Sequence, residues 1–126
     1  MLTGPIAWRL CVGRRGGSGE MQAWTLAEIE KKTLLPGTQV RFVHGEHMTV
    51  AYWDFDPDVP LPEHAHPHEQ VTNVIEGIFD LTVEGETTRL RPGSVVLIPP
   101  NAAHSGKSIT ACRILDVFHP VRQDYR

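Results

Sequence analysis

The sequence is poor in cysteine, in clustered positive charge and in long apolar runs. Its 126 residues include only two cysteines, Cys11 and Cys112, which are too few for a disulfide framework and fit a reduced, cytoplasmic protein. The net charge is −3 and basic residues stand at most in pairs, such as Arg14 and Arg15, so the positive patch of a nucleic-acid-binding protein is missing. The apolar runs are strand-sized, which predicts no transmembrane helix. We therefore expect neither nucleic acid nor a membrane as a partner.

The length of the chain, 126 residues, suits one domain and is short for two. Residues 1–20 place an apolar patch before basic residues, the reverse of a secretory signal peptide, and end in a glycine-rich stretch. We expect them to form a disordered or dispensable extension, followed by a single domain over 21–126. At its start, WTLAEIEKKTLLPG predicts a short helical turn, with Thr25 as N-cap, Glu28 in the capping-box position and Pro36–Gly37 as its end.

Beyond this turn, strand-sized segments alternate with turn residues. Glu84-Gly85-Glu86 predicts a hairpin, and further turns are expected at Gly77, at Pro92–Gly93 and at 99–101. The segment DPDVPLP predicts a break in the chain before the first histidines. Many short strands at even spacing indicate an all-β fold, either a sandwich or a closed barrel of antiparallel strands.

The segment PEHAHPHEQ holds three of the seven histidines. Alternation along an extended chain places His64, His66 and Gln70 on one side, and imidazole nitrogen and amide oxygen are ligands for first-row transition metals. His104 follows a proline-rich turn and is the natural third histidine. His68 lies in the turn itself, where alternation does not hold, so we expect it at the surface or supporting the ligands. The alternative is that all of these are loop or core histidines satisfied by hydrogen bonds.

The last apolar segment, ACRILDVFHPVRQDY, predicts a strand with Cys112, Ile114, Asp116 and Phe118 on one face. If that face lines the interior, burial would raise the pKa of Asp116 and a nearby metal would lower it, so the carboxyl could exchange protons. Arg122 lies just beyond the strand and could hold a substrate carboxylate through two hydrogen bonds. The alternatives are a structural buried aspartate, a phenylalanine that only fills the core and a solvated arginine.

Two stretches, HAHPHEQVTNVIEG and PGSVVLIPPNAAHS, resemble the two sequence motifs of the cupin family. His64, His66, Gln70 and Gly77 keep the spacing of the first motif, with glutamine in place of the usual glutamate, and His104 is the ligand of the second. The resemblance implies a single-domain jelly-roll β-barrel that holds one divalent transition metal ion (Ni, Zn, Mn, Fe or Co). Small cupins also resemble proteins that form dimers, so a homodimer is expected.

A narrower resemblance rests on PEHAHPHEQVTNVIEG, IPPNAAHSGKSIT and DVFHPVRQDY, which are similar to the KdgF group of cupins in pectin and alginate breakdown. This resemblance implies that 4,5-unsaturated uronates, which are anionic sugars, are converted into linear keto forms. It makes His64, His66, Gln70 and His104 the metal ligands. It also makes Asp116, Phe118 and Arg122 the catalytic pocket residues, with Asp116 as the group that transfers a proton.

The glutamine at position 70 bears on the reaction that the site would perform. Neutral ligands leave a dipositive metal with its full charge, which suits Lewis-acid chemistry on an anion and disfavours a carboxylate-containing iron site. Two other functions stay open: a cupin dioxygenase or decarboxylase of a small organic acid, and a non-catalytic sugar-binding cupin.

Overall fold

The computed structural model describes residues 19–126, and Cys11 and most of the predicted extension lie outside them. The chain divides into two compact units, 1–30 and 31–126. The second unit holds all nine strands and the 3-10 turn Gln123–Tyr125. The strands are β1 (Thr38–His44), β2 (Thr49–Phe55), β3 (Pro60–His64), β4 (Glu69–Glu76), β5 (Phe79–Val83), β6 (Glu86–Leu90), β7 (Val95–Ile98), β8 (His104–Ser108) and β9 (Cys112–His119). No helix among the described residues is long and apolar enough to cross a membrane.

The nine strands form two antiparallel sheets. The five-stranded sheet has the order β1-β2-β9-β4-β7, and the four-stranded sheet has the order β3-β8-β5-β6. Strands far apart in sequence are neighbours, as β2 and β9 or β3 and β8, which is typical of a jelly roll. The all-β prediction is confirmed, in the form of a two-sheet jelly roll rather than one continuously hydrogen-bonded barrel.

Alternation along the strands places the core between the two sheets. In β2 every second residue is buried, and in β9 the same holds for Cys112, Ile114, Asp116 and Phe118, as predicted for that strand. The polar members of this buried set, Asp116 among them, are therefore held inside a mainly apolar interior. This interior is where the candidate site lies.

The predicted N-terminal helical turn is present but shorter than expected. It is a 3-10 turn over Leu26–Glu28, and it ends at Ile29 rather than near Pro36. Thr25 is the N-cap residue but makes no side-chain capping hydrogen bond. The reason is that the Glu28 N–H is already satisfied by the Thr25 backbone carbonyl at 2.9 Å, so the predicted capping box does not form.

The prediction of a chain break over DPDVPLP is wrong in its second half, because Pro60–His64 forms strand β3. Proline interrupts a sheet ladder only where its missing N–H would be needed. Strand β3 lies at the edge of the four-stranded sheet, where one side of the strand needs no partner. Its pairing with β8 is also irregular between Leu61 and His64, which accommodates the second proline.

The hairpin predicted at Glu84–Gly85 is confirmed. Val83 pairs with Glu86 across β5 and β6, which leaves a two-residue loop. Both loop residues have positive φ, 47° for Glu84 and 79° for Gly85. This is the backbone of a type I′ turn, whose twist matches that of the two strands.

Candidate metal centre

Three histidines from separate segments meet at one end of the interior. His64 closes β3, His104 opens β8, and the two are direct partners in the ladder between these strands. His66 lies in the loop that leads into β4. One nitrogen from each ring lies within 4.8 Å of the others. The pairing of β3 with β8 therefore joins the two histidine-bearing motifs of the sequence.

The hydrogen bonds of these rings define which nitrogen is free. In all three histidines Nδ1 lies 2.8–3.1 Å from a backbone carbonyl oxygen two residues away along the chain. A carbonyl can only accept, so each Nδ1 carries the hydrogen and each Nε2 offers a lone pair. Histidine ligands of metals are commonly oriented by such a bond from the other ring nitrogen.

The protonation states of the buried histidines also suit a metal. Burial, together with the Arg122 and His104 charges, lowers the pKa of His66 to about 4, and burial lowers the pKa of His104 as well. Both rings are therefore neutral at neutral pH, as metal ligation requires. The His104 Nε2 atom is buried and has no hydrogen-bond partner among the described residues. Imidazole rings that offer Nε2 lone pairs to a common point fit a divalent transition metal ion.

Gln70 extends this group from β4, where its side chain is buried. Its Oε1 lies 3.1 Å from the His66 Nε2. Because the His66 hydrogen is on Nδ1, both facing atoms are acceptors, and their approach is unfavourable unless a cation lies between them. This geometry is what the prediction of Gln70 as a fourth ligand requires.

Asp116 lies on β9 and is buried. Its Oδ1 accepts a hydrogen bond of 2.7 Å from the Thr72 hydroxyl. Burial raises the pKa of Asp116 to about 6, and the bonds from Thr72 and Gln70 and the charge of Arg122 only partly oppose this. The carboxyl can therefore gain and lose a proton near neutral pH.

Arg122 is 95% buried, at 5% exposure, and is not the solvated charge considered as an alternative. Its guanidinium carbon lies 3.9 Å from the Tyr125 ring centre and 4.8 Å from that of Phe118. Two of its nitrogens donate to the Asp124 carboxylate at 3.0 and 2.7 Å. The third, Nη1, is buried with no partner among the described residues, so its NH₂ group is available to an anion.

A cavity of about 300 Å³ brings these groups together. Every predicted site residue except His66 lines it, and His66 contacts the same cluster through its ring. The predicted members of the lining are His64, Gln70, His104, Asp116, Phe118 and Arg122.

Trp53 and Tyr125 are among the lining residues that the sequence did not single out. The Trp53 Nε1–H is buried without a hydrogen-bond partner, although it lies close enough to help lower the pKa of Asp116. Alternation in β2, where Ala51, Trp53 and Phe55 are buried, is the signal that could have identified it. Tyr125 follows the last strand in a 3-10 turn, and no pattern in the sequence marks it.

The profile of the cupin domain matches residues 51–118. An uncharacterized protein of Streptomyces coelicolor is 31% identical over 102 residues, which cover 79% of this chain and 97% of that protein. The uncharacterized HTH-type transcriptional regulator YobQ of Bacillus subtilis is 36% identical over 64 residues, 48% of this chain and only 27% of the regulator. The structure of KdgF from Halomonas sp. superposes with a TM-score of 0.80 at 25% identity, covering 85% of this chain and all of that one.

Proposed function

Since the chain belongs to the cupin family, we propose that it is a metal-dependent isomerase that converts a 4,5-unsaturated uronate into its linear keto form. One observation carries the proposal: a buried carboxyl with a pKa of about 6, a buried arginine with an unpartnered N–H and the histidine cluster line or adjoin one cavity. The similarity to KdgF from Halomonas sp. in structure and sequence supports it.

The substrate class follows from the charge of the cavity. A uronate carries one carboxylate, and the buried Arg122 offers it the unpartnered Nη1–H in surroundings where such a bond is strong. The Phe118 and Trp53 rings form apolar walls against which a sugar ring can pack, and the Trp53 Nε1–H can donate to a hydroxyl. These contacts would orient the sugar and exclude water from it.

The reaction is an isomerisation that needs one proton to move and no oxidant. The anomeric hydroxyl gives up its proton, the carbonyl forms at C1, and the bond from C1 to the ring oxygen breaks with its electrons going to that oxygen. The resulting enolate then takes a proton at C4 and becomes a ketone at C5. Asp116 accepts the first proton and delivers it in the second step, for which a pKa near neutrality is suited.

The proposed ligands are His64, His66, Gln70 and His104, for one ion of Ni, Zn, Mn, Fe or Co. The chemistry that such an ion supplies when bound is Lewis-acid polarisation of the substrate oxygens that lie near it. The backbone carbonyls that accept from the three Nδ1 atoms orient each Nε2 lone pair for a metal, and the lowered pKa values of His66 and His104 keep these two rings neutral.

The test uses the ultraviolet absorbance of a conjugated unsaturated uronate released by a polysaccharide lyase. Purified metal-loaded protein should speed the loss of absorbance over the spontaneous rate without consuming oxygen, and a chelator should remove the acceleration.

Arg122→Gln should lower kcat/KM by about 10- to 100-fold, mainly through KM, because it removes a charge-assisted hydrogen bond to the substrate. Arg113→Gln is the matched control, since Arg113 is an exposed arginine on β9 that pairs with Asp54. A rate equal to the spontaneous one would exclude the proposal.

A second candidate is supported by the composition of the cavity wall. Besides the polar residues, the wall is mainly apolar, with Leu34, Leu61, Phe79, Leu81 and Ile114. Such a lining also suits a small organic acid with an apolar body, the substrate of a dioxygenase or decarboxylase. Oxygen uptake or release of carbon dioxide with such an acid, and no effect on the uronate, would favour this candidate.

A further inference from the structure

We propose that Thr72 is a positioning residue that turns the side-chain oxygen of Gln70 toward His66 and so completes the ligand set with a fourth atom. The inference rests on the proposed metal site and concerns only how the chain prepares it. Thr72 lies within the stretch HAHPHEQVTNVIEG, but it is not among the residues whose spacing carries the resemblance to the first motif.

Thr72 joins the histidine cluster to Asp116 through two short hydrogen bonds. The Gln70 Nε2 donates to the Thr72 Oγ1 at 3.0 Å, and the Thr72 Oγ1 donates to the Asp116 Oδ1 at 2.7 Å. All three side chains are buried, with exposures of 7%, 4% and 8% in that order. We call these three hydrogen-bonded side chains, Gln70, Thr72 and Asp116, the polar row. Because the row is buried, each of its donors needs an acceptor.

The direction of this row follows from counting hydrogens. The Thr72 hydroxyl has one hydrogen, and the Asp116 carboxylate takes it. Toward Gln70 the hydroxyl can then only accept, so the NH₂ end of the amide must face Thr72 and the oxygen must face the other way. That oxygen lies 3.1 Å from the His66 Nε2, where it can share a cation with the imidazole.

Without the Thr72 hydroxyl, the amide would keep only its interaction with the Asp116 carboxylate to favour this orientation over the reversed one. A reversed amide would place its NH₂ group against the His66 Nε2 and donate a hydrogen bond to it, which is favourable in the absence of a metal. The same hydrogen bond would occupy the lone pair that His66 must offer to a metal. Loss of the hydroxyl should therefore weaken metal binding by two effects, the loss of the Gln70 oxygen as a ligand and the blocking of the His66 lone pair.

The fold holds Thr72 rigidly enough for this role. Gln70 and Thr72 are alternate residues of β4 and point inward together, and Thr72 is the direct ladder partner of Asp116 on β9. Threonine is also restricted in its first side-chain torsion because it is branched at Cβ. The hydroxyl is thus fixed relative to both neighbours by the pairing of two central strands.

The experiment measures the dissociation constant for Co²⁺ by competition with a chelator, together with the visible spectrum of bound Co²⁺. Thr72→Val should weaken Co²⁺ binding by about 10- to 100-fold, the usual effect of removing a group that orients a ligand, and should change the spectrum as Gln70→Ala does. Thr72→Ser keeps the hydroxyl and should restore both. Thr38→Val, which removes a buried hydroxyl bonded to the Leu35 carbonyl, is the control and should leave Co²⁺ binding unchanged.

A double-mutant cycle separates positioning from a general loss of structure. In the Gln70→Ala background there is no amide to orient, so adding Thr72→Val should change the Co²⁺ dissociation constant by less than about twofold, the accuracy with which independent effects add. An equal loss in both backgrounds, or wild-type affinity in Thr72→Val, would overturn the inference. No Co²⁺ binding by the wild type would overturn it together with the metal site. Absence of uronate turnover alongside the expected cycle would overturn the proposed reaction alone.

Discussion

Asp116 is a carboxyl group that the fold buries beside the Thr72 hydroxyl. Its ionisation in the folded protein lowers the free energy of unfolding. Its pKa is raised from 3.8 to about 6, chiefly by burial, so between these pH values the folded protein binds a proton that the unfolded chain has released. Stability contributed by the protonated form is therefore lost as the pH rises from about 4 to about 6. A group kept at such a cost is more typical of a reaction site than of a structural core.

The first prediction concerns Asp116→Asn in metal-free protein. The amide does not ionise, so the variant should gain stability over the wild type as the pH rises through the raised pKa. The gain between pH 4 and pH 7.5 should be on the order of 2 kcal/mol, from a shift of this size in a buried group. Urea unfolding of the chelator-treated proteins at several pH values measures it. A difference that stays constant with pH would show that Asp116 ionises freely in the folded state.

Some residues of the site could be predicted from the sequence, and others could not. His66 lies in the loop between β3 and β4, so its place beside Gln70 was predicted by the spacing of the motif and not by strand alternation. The alternation around Asp116 was readable without a structure, because it depends only on local strand geometry. The burial of Arg122 was not, since it depends on the Phe118 and Tyr125 rings that enclose the guanidinium. Contacts of this kind exist only after distant segments have packed.

At the scale of strands and turns, glycine and proline predicted the ends of strands correctly where their effect depends only on the local backbone conformation. The β5–β6 hairpin was predictable because Gly85 is needed in a type I′ turn whatever surrounds it. Strand β3 was missed because its prolines argue against a strand, and they are tolerated only at the edge of a sheet. Whether a strand lies at the edge or in the centre of a sheet depends on the assembled sheet, so it cannot be predicted from the local sequence.

The second prediction concerns Gly77, where both the local backbone conformation and a contact with a distant segment require glycine. Its φ is 87°, and a Cβ there would collide with the backbone oxygen of Ala111 and with Cys112. Gly77→Ala should therefore lower the free energy of unfolding by roughly 3 kcal/mol or more, from the left-handed backbone and the overpacking together. Thermal or urea unfolding measures the loss.

Gly85→Ala is the matched control for this variant. Gly85 has a similar φ of 79°, but a Cβ there would meet no atom within 4 Å. Only the backbone cost applies, about 1–2 kcal/mol. Equal losses in the two variants would mean that the collision beside Gly77 is relieved by movement of the turn before Cys112.

At the scale of the whole molecule, the site exists because the fold joins segments from both sheets. His64 and His104 come from the four-stranded sheet, whereas Gln70 and Asp116 come from the five-stranded one. The sequence motifs predicted that these residues meet, but not the row from Gln70 through Thr72 to Asp116. That row depends on the register between β4 and β9, which no local pattern fixes.

The outer face of the five-stranded sheet carries the last prediction. Large apolar side chains stand exposed there on β4 and on the edge strand β7, with Ile75 at 49%, Val95 at 64% and Leu97 at 59% exposure. Half-buried apolar residues on the same face adjoin them, namely Val71, Leu115 and Val117. Strand β7 has a neighbour on one side only among residues 19–126, and an apolar sheet face beside such an edge is a surface that proteins generally cover. We propose that a second copy of the chain covers it, as a homodimer.

Light scattering after size exclusion tests this arrangement against the monomer mass of 14.1 kDa. The wild type should elute at twice that mass, and the double variant Val95→Lys with Leu97→Lys should elute as a monomer, because it places two charges within the proposed interface, at its two most exposed apolar residues. Thr88→Lys adds a charge to the exposed strand β6 of the other sheet and should stay dimeric. Since both lysines point away from the interior, Co²⁺ affinity should be unchanged in the double variant, which separates loss of the dimer from loss of the fold. A monomeric wild type, or a double variant that remains dimeric, would place the apolar face outside any contact between copies.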